Sequence, residues 1–312
     1  MVVGMATQFR PGWALSISLF YLVALYFIAG IHWVNLLFVG AVLLLYFLHA
    51  QTRLFLLLGF PYVIHSILYD SVRFFPKNWF GPLHIQDIYN WDLNWFGVTW
   101  AGKKILLCDF LNLWAGPMFD TLAGMVYFFH EPGLLILCLI FFFCKRYELF
   151  HRVGVCFLLM NLMAILTHIF FPVAPPWYVD QHGFNLPAMQ VLGDAAGLSR
   201  FDTLLGLKFY QDLYKYNPIV FGAIPSMHAG VTLLTVIFAH RYKRFWLWPS
   251  LVYFFIMIWA AVYLRHHYVV DILIGMLYCG AAVLVGDWLA RRPWRALALL
   301  NAGEPFYQLH HK

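Results

Sequence analysis

Pro225-Ser226-Met227-His228 and Arg265-His266-His267-Tyr268-Val269-Val270-Asp271 stand at the two ends of a pair of apolar runs, 226–240 and 246–264, joined by the basic turn Arg241-Tyr242-Lys243-Arg244. If each run crosses a bilayer once, the chain goes over and back, and His228 and His267 return to the same face. The four-residue spacing of His267 and Asp271 predicts one helical face, on which the carboxylate orients the imidazole. Two histidines and an aspartate meeting at a membrane surface suggest phosphoryl-transfer chemistry on a lipid.

Hydrophobic residues make up 63% of the 312 residues and charged residues 11%, which excludes an ordinary soluble domain. A span needs about 20 mostly apolar residues. By that measure the sequence predicts an all-α polytopic transmembrane bundle of about eight spans: 13–30, 32–49, 53–70, 120–143, 153–171, 225–240, 246–264 and 267–289. Three regions follow: N-terminal spans with an outer interfacial loop (1–119), a catalytic membrane domain (120–289) and a cytoplasmic tail (290–312). The first span follows Arg10 directly. No small-x-small cleavage site follows it and a second span begins at once, so it reads as an anchor.

Lys and Arg placement sets the expected orientation. Arg53, then Lys145, Arg146 and Arg152, then Arg241, Lys243 and Arg244 fall in short loops on one side, and Arg291, Arg292, Arg295 and Lys312 follow in the tail. Both termini are therefore expected in the cytoplasm, with both histidine motifs facing outward. The net charge of +6 suits contact with anionic headgroups, and nothing suggests a nucleic-acid surface. The five cysteines, Cys108, Cys138, Cys144, Cys156 and Cys279, show no metal-ligand spacing and read as packing residues. No metal or cofactor is expected. Short tails and the lack of an Asn-x-Ser/Thr acceptor favour a bacterial inner membrane over an organelle such as the Golgi.

The outer loop 172–224 opens with Phe171-Pro172-Val173-Ala174-Pro175-Pro176-Trp177-Tyr178. It continues through Gly197-Leu198-Ser199-Arg200-Phe201-Asp202 and Asn217-Pro218-Ile219-Val220-Phe221-Gly222. Trp177 and Tyr178 suit the headgroup layer, either as interfacial pins or as part of a lid beside the site. Together with the ordered histidine motifs, these segments resemble inositol phosphorylceramide synthase, a branch of the type-2 phosphatidate phosphatase superfamily. The resemblance runs from about Pro117 to Gly280.

The resemblance implies a helical bundle core and a two-step mechanism. His267 would attack phosphorus and form a phosphohistidine, Asp271 would fix its tautomer, and His228 would protonate the departing alkoxide and then deprotonate the acceptor. The substrates it implies are phosphatidylinositol and ceramide, and it leaves room for a small membrane subunit or a homo-oligomer. Superfamily phosphatases carry an Arg six residues before the nucleophile, where this chain has Ala261. The departure favours a phosphodiester, which carries less charge than a monoester. A lipid phosphate phosphatase using the same histidines with water as acceptor is the alternative, and a transporter built on the same bundle would not need His267 paired with Asp271.

Candidate substrate contacts are the start of the helix at Ser226, with its free N–H groups, and the cations Arg200, first in rank, and Arg265, ahead of Lys208 and Lys215. His266 is expected as a polar pocket wall, and Trp177, Tyr178 and Asp120 as further contacts; Asp120 could instead cap its helix. His130 and Glu131 sit near the middle of a span beside Pro132. An ionisable pair at that depth is a site suspect, satisfied if a Pro-broken helix lines an aqueous pocket.

Overall fold

The computed structural model describes residues 11–28, 31, 33–75, 80–186 and 191–290. The expected tail from Arg291 onward, with Arg10, lies outside the described residues. The helices run in order α1 (Pro11–Ile28), α2 (Trp33–Leu48), α3 (Ala50–Leu58), α4 (Phe60–Ser71), α5 (Gln86–Phe96), α6 (Leu107–Asn112), α7 (Pro117–Phe128), α8 (His130–Phe143), α9 (Tyr147–Phe170), α10 (Pro176–His182), α11 (Leu198–Leu205), α12 (Phe209–Lys215), α13 (Met227–Tyr242), α14 (Leu247–Tyr263) and α15 (Val269–Ala290). A short hairpin, β1 (Val98–Trp100) with β2 (Lys103–Ile105), separates α5 from α6.

Three helices are long and apolar enough to cross a membrane: Tyr147–Phe170, Arg244–Tyr263 and Val269–Ala290. The count rises to five if each of two bent pairs is one span, and Ala14–Phe27 and Asn35–Leu48 are shorter apolar helices. The protein is an integral membrane protein with a predominantly helical fold. Both bends have a sequence cause. Gly59, followed by Pro61 in the first turn of α4, breaks the third apolar run at 59°. Pro132 sits in the first turn of α8, where its missing N–H costs little, and the fourth run bends there by 47°.

α13 occupies the centre, packed by α8, α9, α14 and α15. It is apolar around its whole circumference, as a fully enclosed helix should be; Ala229, Val231, Leu234 and Phe238 are all buried. One apolar cluster fills its inner half, with Phe141, Phe150, Met160 and Cys279. A second fills the outer half, with Tyr127, Met257, Ala260 and Tyr268. Arg241 holds Asp287 through two hydrogen bonds, of 2.9 and 2.7 Å. Asp287 lies sixteen residues beyond Asp271 on α15, so this basic end sits roughly 24 Å from the histidine motifs.

The outer loops are stitched together by main chain. Val173 forms parallel bridges with His84 on one side and Gly222 on the other. Its N–H donates to the Phe221 carbonyl at 2.8 Å, and Ala223 N–H donates back to its carbonyl at 3.3 Å. These bridges tie the segments around His84, Val173 and Gly222 together and hold the main chain next to Ala223. Trp177 and Tyr178, expected at the headgroup layer, are not displayed on the protein surface. They are 5% and 1% exposed, because the chain leaving Val173 turns inward and packs both rings with Ile85 and Ala174.

Candidate active site

Ser226 starts α13. Its hydroxyl accepts from the Ala229 N–H at 3.4 Å, capping the helix. That side chain is wholly buried and turned into the cap; the substrate contact expected here is through the main-chain N–H groups of the helix start. His228 follows in the first helical turn and faces a cavity of about 660 Å³.

His267 stands before α15, not on it. The expectation that His267 and Asp271 share one helical face is therefore corrected. Arg265 takes a left-handed conformation, φ 63°, and ends α14, so the chain turns through His266 and His267 before α15 begins at Val269. Asp271 lies in the first turn of α15, where its Oδ2 accepts from the Tyr268 N–H at 2.8 Å, half of a capping box. The same oxygen is 3.4 Å from His267 Nδ1, while the Ala223 carbonyl is closer, at 2.9 Å.

Those two neighbours fix the tautomer. A carbonyl and a carboxylate can only accept, so His267 Nδ1 carries the hydrogen and Nε2 keeps its lone pair. That Nε2 points at His228 Nδ1, 3.1 Å away, which therefore donates. Tyr127 stacks on His228 with ring centroids 4.1 Å apart, and its hydroxyl lies 3.3 Å from the same Nδ1. His130, at the break between α7 and α8, stands with its ring 4.1 Å from His228. His130 and Glu131 both line the cavity, as a Pro-broken helix beside a pocket implies.

The two motifs are also joined through backbone. Ser226 N–H donates to the Asp271 carbonyl at 3.0 Å. Gly275, one turn farther along α15, packs so closely that a Cβ there would fall 2.1 Å from the Ser226 carbonyl oxygen. From the outer segment, Asp92 of α5 accepts the Val270 N–H at 2.9 Å. Thus the first turn of α15 is held by carboxylates on two sides.

Four expected substrate contacts are placed elsewhere. Arg200 donates from Nε to Asp120 Oδ1 at 2.8 Å and lies over the Tyr263 ring, 5.2 Å from its centroid. Asp120 also accepts from the Tyr263 hydroxyl at 2.7 Å, so both members of this pair are engaged away from the cavity. Arg265 is held between Asp109, at 2.9 Å, and Asp180. Tyr178 donates to the Asn185 carbonyl, whereas Trp177 lines a smaller cavity of about 100 Å³ that His228, His266 and His267 share.

His266 is a pocket wall, as expected. It stacks on Tyr214 at 4.6 Å and its Nε2 donates to the Ala195 carbonyl at 3.1 Å. Burial, and then the nearby His267, push it down to about 3, so it stays neutral. No Lys or Arg is among the described residues that line the larger cavity. Among the described residues, no group of three His, Cys, Asp or Glu is arranged to hold a metal ion.

Comparison with known proteins places this geometry in a family. A family model described as the PAP2 superfamily matches residues 108–285. The phosphoinositol dihydroceramide synthase of Bacteroides thetaiotaomicron is 31% identical over 250 residues, which covers 79% of this chain and 81% of that protein. The inositol phosphorylceramide synthase catalytic subunit aur1 of Schizosaccharomyces pombe is 31% identical over 68% of the chain and 49% of its own length. The corresponding Saccharomyces cerevisiae subunit, AUR1, is 26% identical over 73% of the chain and 56% of its own length. The chain thus spans about half the length of these fungal relatives. No solved structure matches.

Proposed function

The chain belongs to the PAP2 superfamily, and we propose that it moves phosphoinositol from phosphatidylinositol to the primary hydroxyl of ceramide, releasing diacylglycerol. The names of its relatives support the substrates. The observation that carries the chemistry is the hydrogen bonding of His267, whose Nδ1 is held by the Ala223 carbonyl and whose unprotonated Nε2 meets His228 beside the cavity. Nε2 attacks phosphorus, and the bond to the diacylglycerol oxygen breaks. His228, as imidazolium beside the anionic diester, gives that oxygen its Nδ1 proton. The phosphoinositol group then sits on His267, whose positive charge Asp271 and the Ala223 carbonyl stabilise. Ceramide's hydroxyl attacks next, His228 takes its proton, and the P–N bond breaks to restore the starting state.

Water as acceptor would make the protein a lipid phosphate phosphatase. The absence of Lys and Arg among the described residues that line the cavity supports the diester reading instead, since a monoester carries nearly two charges and needs more compensation. The eight apolar helical segments, with each bent pair taken as one, are proposed to cross the membrane in alternation. The end bearing Arg241 and Asp287 then faces the cytoplasm, with both termini, and the histidines open to the periplasmic or lumenal side. A small subunit or a second copy remains compatible with this arrangement. Purified protein given labelled phosphatidylinositol and ceramide should form inositol phosphorylceramide and diacylglycerol. Release of inorganic phosphate from phosphatidic acid, without an inositol-containing product, would favour the phosphatase.

A further inference from the structure

The cavity beside His228 and His267 reaches inward between α4, α9 and α13. Its inner wall is polar, although the helices that build it are apolar runs. His65 of α4 and Asn161 and His168 of α9 line it at 8%, 7% and 7% exposure. His168 lies beside the Pro225 carbonyl, yet neither of its ring nitrogens makes a well-formed hydrogen bond. His65 sits by the Asn161 amide with its Nε2 unpartnered. Asn161 and His168 are seven residues apart on one helix, so the polar wall extends roughly 10 Å in depth.

Unpartnered imidazole nitrogens are costly in a bilayer interior, and an apolar wall would pack there better. A neutral imidazole and an amide each offer a donor and an acceptor. A wall of such groups suits an uncharged polyol, and no Lys or Arg is among the described residues that line the cavity. The transfer cycle has one fragment of that kind. Diacylglycerol must leave toward lipid and ceramide must enter from it, whereas phosphoinositol stays on the enzyme through both steps. The retained fragment belongs against this polar wall, beside the histidines.

We propose that His65, Asn161 and His168 form the inositol-ring subsite and set the headgroup specificity of the reaction. The inference rests on the phosphoinositol-transfer reading. Steady-state turnover with phosphatidylinositol and ceramide tests it in Asn161→Leu and His168→Phe. The Michaelis constant for phosphatidylinositol should rise tenfold or more while that for ceramide stays within twofold. His168→Gln, which keeps a donor and an acceptor, should recover much of the loss; a purely structural role would not produce that split or that recovery.

A binding measurement separates this inference from the reaction itself. His267→Ala protein, which cannot turn over, should bind soluble glycerophosphoinositol, and adding His168→Phe should weaken that binding at least tenfold. Unchanged glycerophosphoinositol binding, or a rise in the ceramide constant alone, overturns the subsite and gives the wall to the acceptor. A wild-type protein that makes no inositol-containing lipid overturns the transfer reading instead. Variants are compared only if they elute as single species in detergent, and Asn161→Leu serves as the second arm should His168→Phe misfold.

Discussion

His267 Nδ1 approaches the main-chain carbonyl of Ala223 more closely, at 2.9 Å, than any side-chain oxygen. The tautomer of His267 is therefore held by backbone as well as by Asp271. His267→Ala should abolish transfer, since it removes the proposed nucleophile. Asp271→Asn should be milder, because Ala223 still fixes the tautomer and the loss is confined to the charge-assisted interaction with the imidazolium. About 1.5–3 kcal/mol is expected, or roughly 10–10²-fold in kcat. Single-turnover kinetics of the two variants measures this, and equal losses would return the orienting role to Asp271 alone.

His228 should matter in proportion to the basicity of the leaving group. A nitrophenyl phosphodiester analogue departs without a proton, whereas diacylglycerol needs one. His228→Ala should therefore release a burst of nitrophenol and stall with His267 modified, since the acceptor is no longer deprotonated. Turnover of phosphatidylinositol should fall about 10²–10⁴-fold. Equal losses with both donors would make His228 a phosphate ligand.

Arg200 should act on stability. Its guanidinium is held by Asp120, so Arg200→Ala leaves a buried carboxylate with only Tyr263 as donor. Thermal unfolding in detergent should show a loss of about 1–3 kcal/mol, with the Michaelis constant for phosphatidylinositol unchanged. A raised constant at unchanged stability would restore Arg200 as a substrate contact.

Gly275→Ala should damage catalysis without touching substrate. The added Cβ meets the Ser226 carbonyl at 2.1 Å, and backbone cannot rotate aside as a side chain can. The start of α13 must shift, taking His228 with it. A displacement near 1 Å at a reacting group costs about 10²-fold. Wild-type kcat in a folded Gly275→Ala protein would show that the two helices can part freely.

Asp92 gives a pH signature. Burial first, and then the neighbouring Asp271 carboxylate, raise it to about 6, against the lowering effect of its bond from Val270 N–H. A raised carboxylate binds its proton more tightly folded than unfolded. Its favourable contribution is thus full below pH ~4 and lost as pH rises through ~6. Asp92→Asn, which still accepts from Val270, should become more stable relative to wild type across that window. The gain should level off at about 2–3 kcal/mol. Melting curves at pH 4, 5, 6 and 8 read the difference directly, and a constant offset would place the proton elsewhere.

The meeting of the two motifs was legible in the sequence because His228 and His267 lie at ends of two apolar runs that going over and back must reunite. His130 was legible for another reason, as an ionisable side chain deep in a span. The same rule applied to His65 and His168, each inside an apolar run, would have marked the cavity wall as well. The ion pairs of Arg200 and Arg265 were not legible because their partners, Asp120, Asp109 and Asp180, are distant in sequence, and a cation's availability depends on such neighbours. Trp177 and Tyr178 carry an interfacial composition, but the chain leaving Val173 turns inward and buries both rings. Asp92 gave no signal, since a capping carboxylate from another helix is invisible without the fold.

The bond from Val270 N–H to Asp92 joins residues 178 positions apart, and α15 supplies both that donor and Asp271. A nascent chain still lacking this helix carries His267, which precedes it, but lacks Asp271 and the Val270 N–H that Asp92 accepts. Long-range closures of this kind come late in assembly. The turn around His267 is therefore fixed only once α15 joins the bundle, and the proposed transfer site has no working form before that docking.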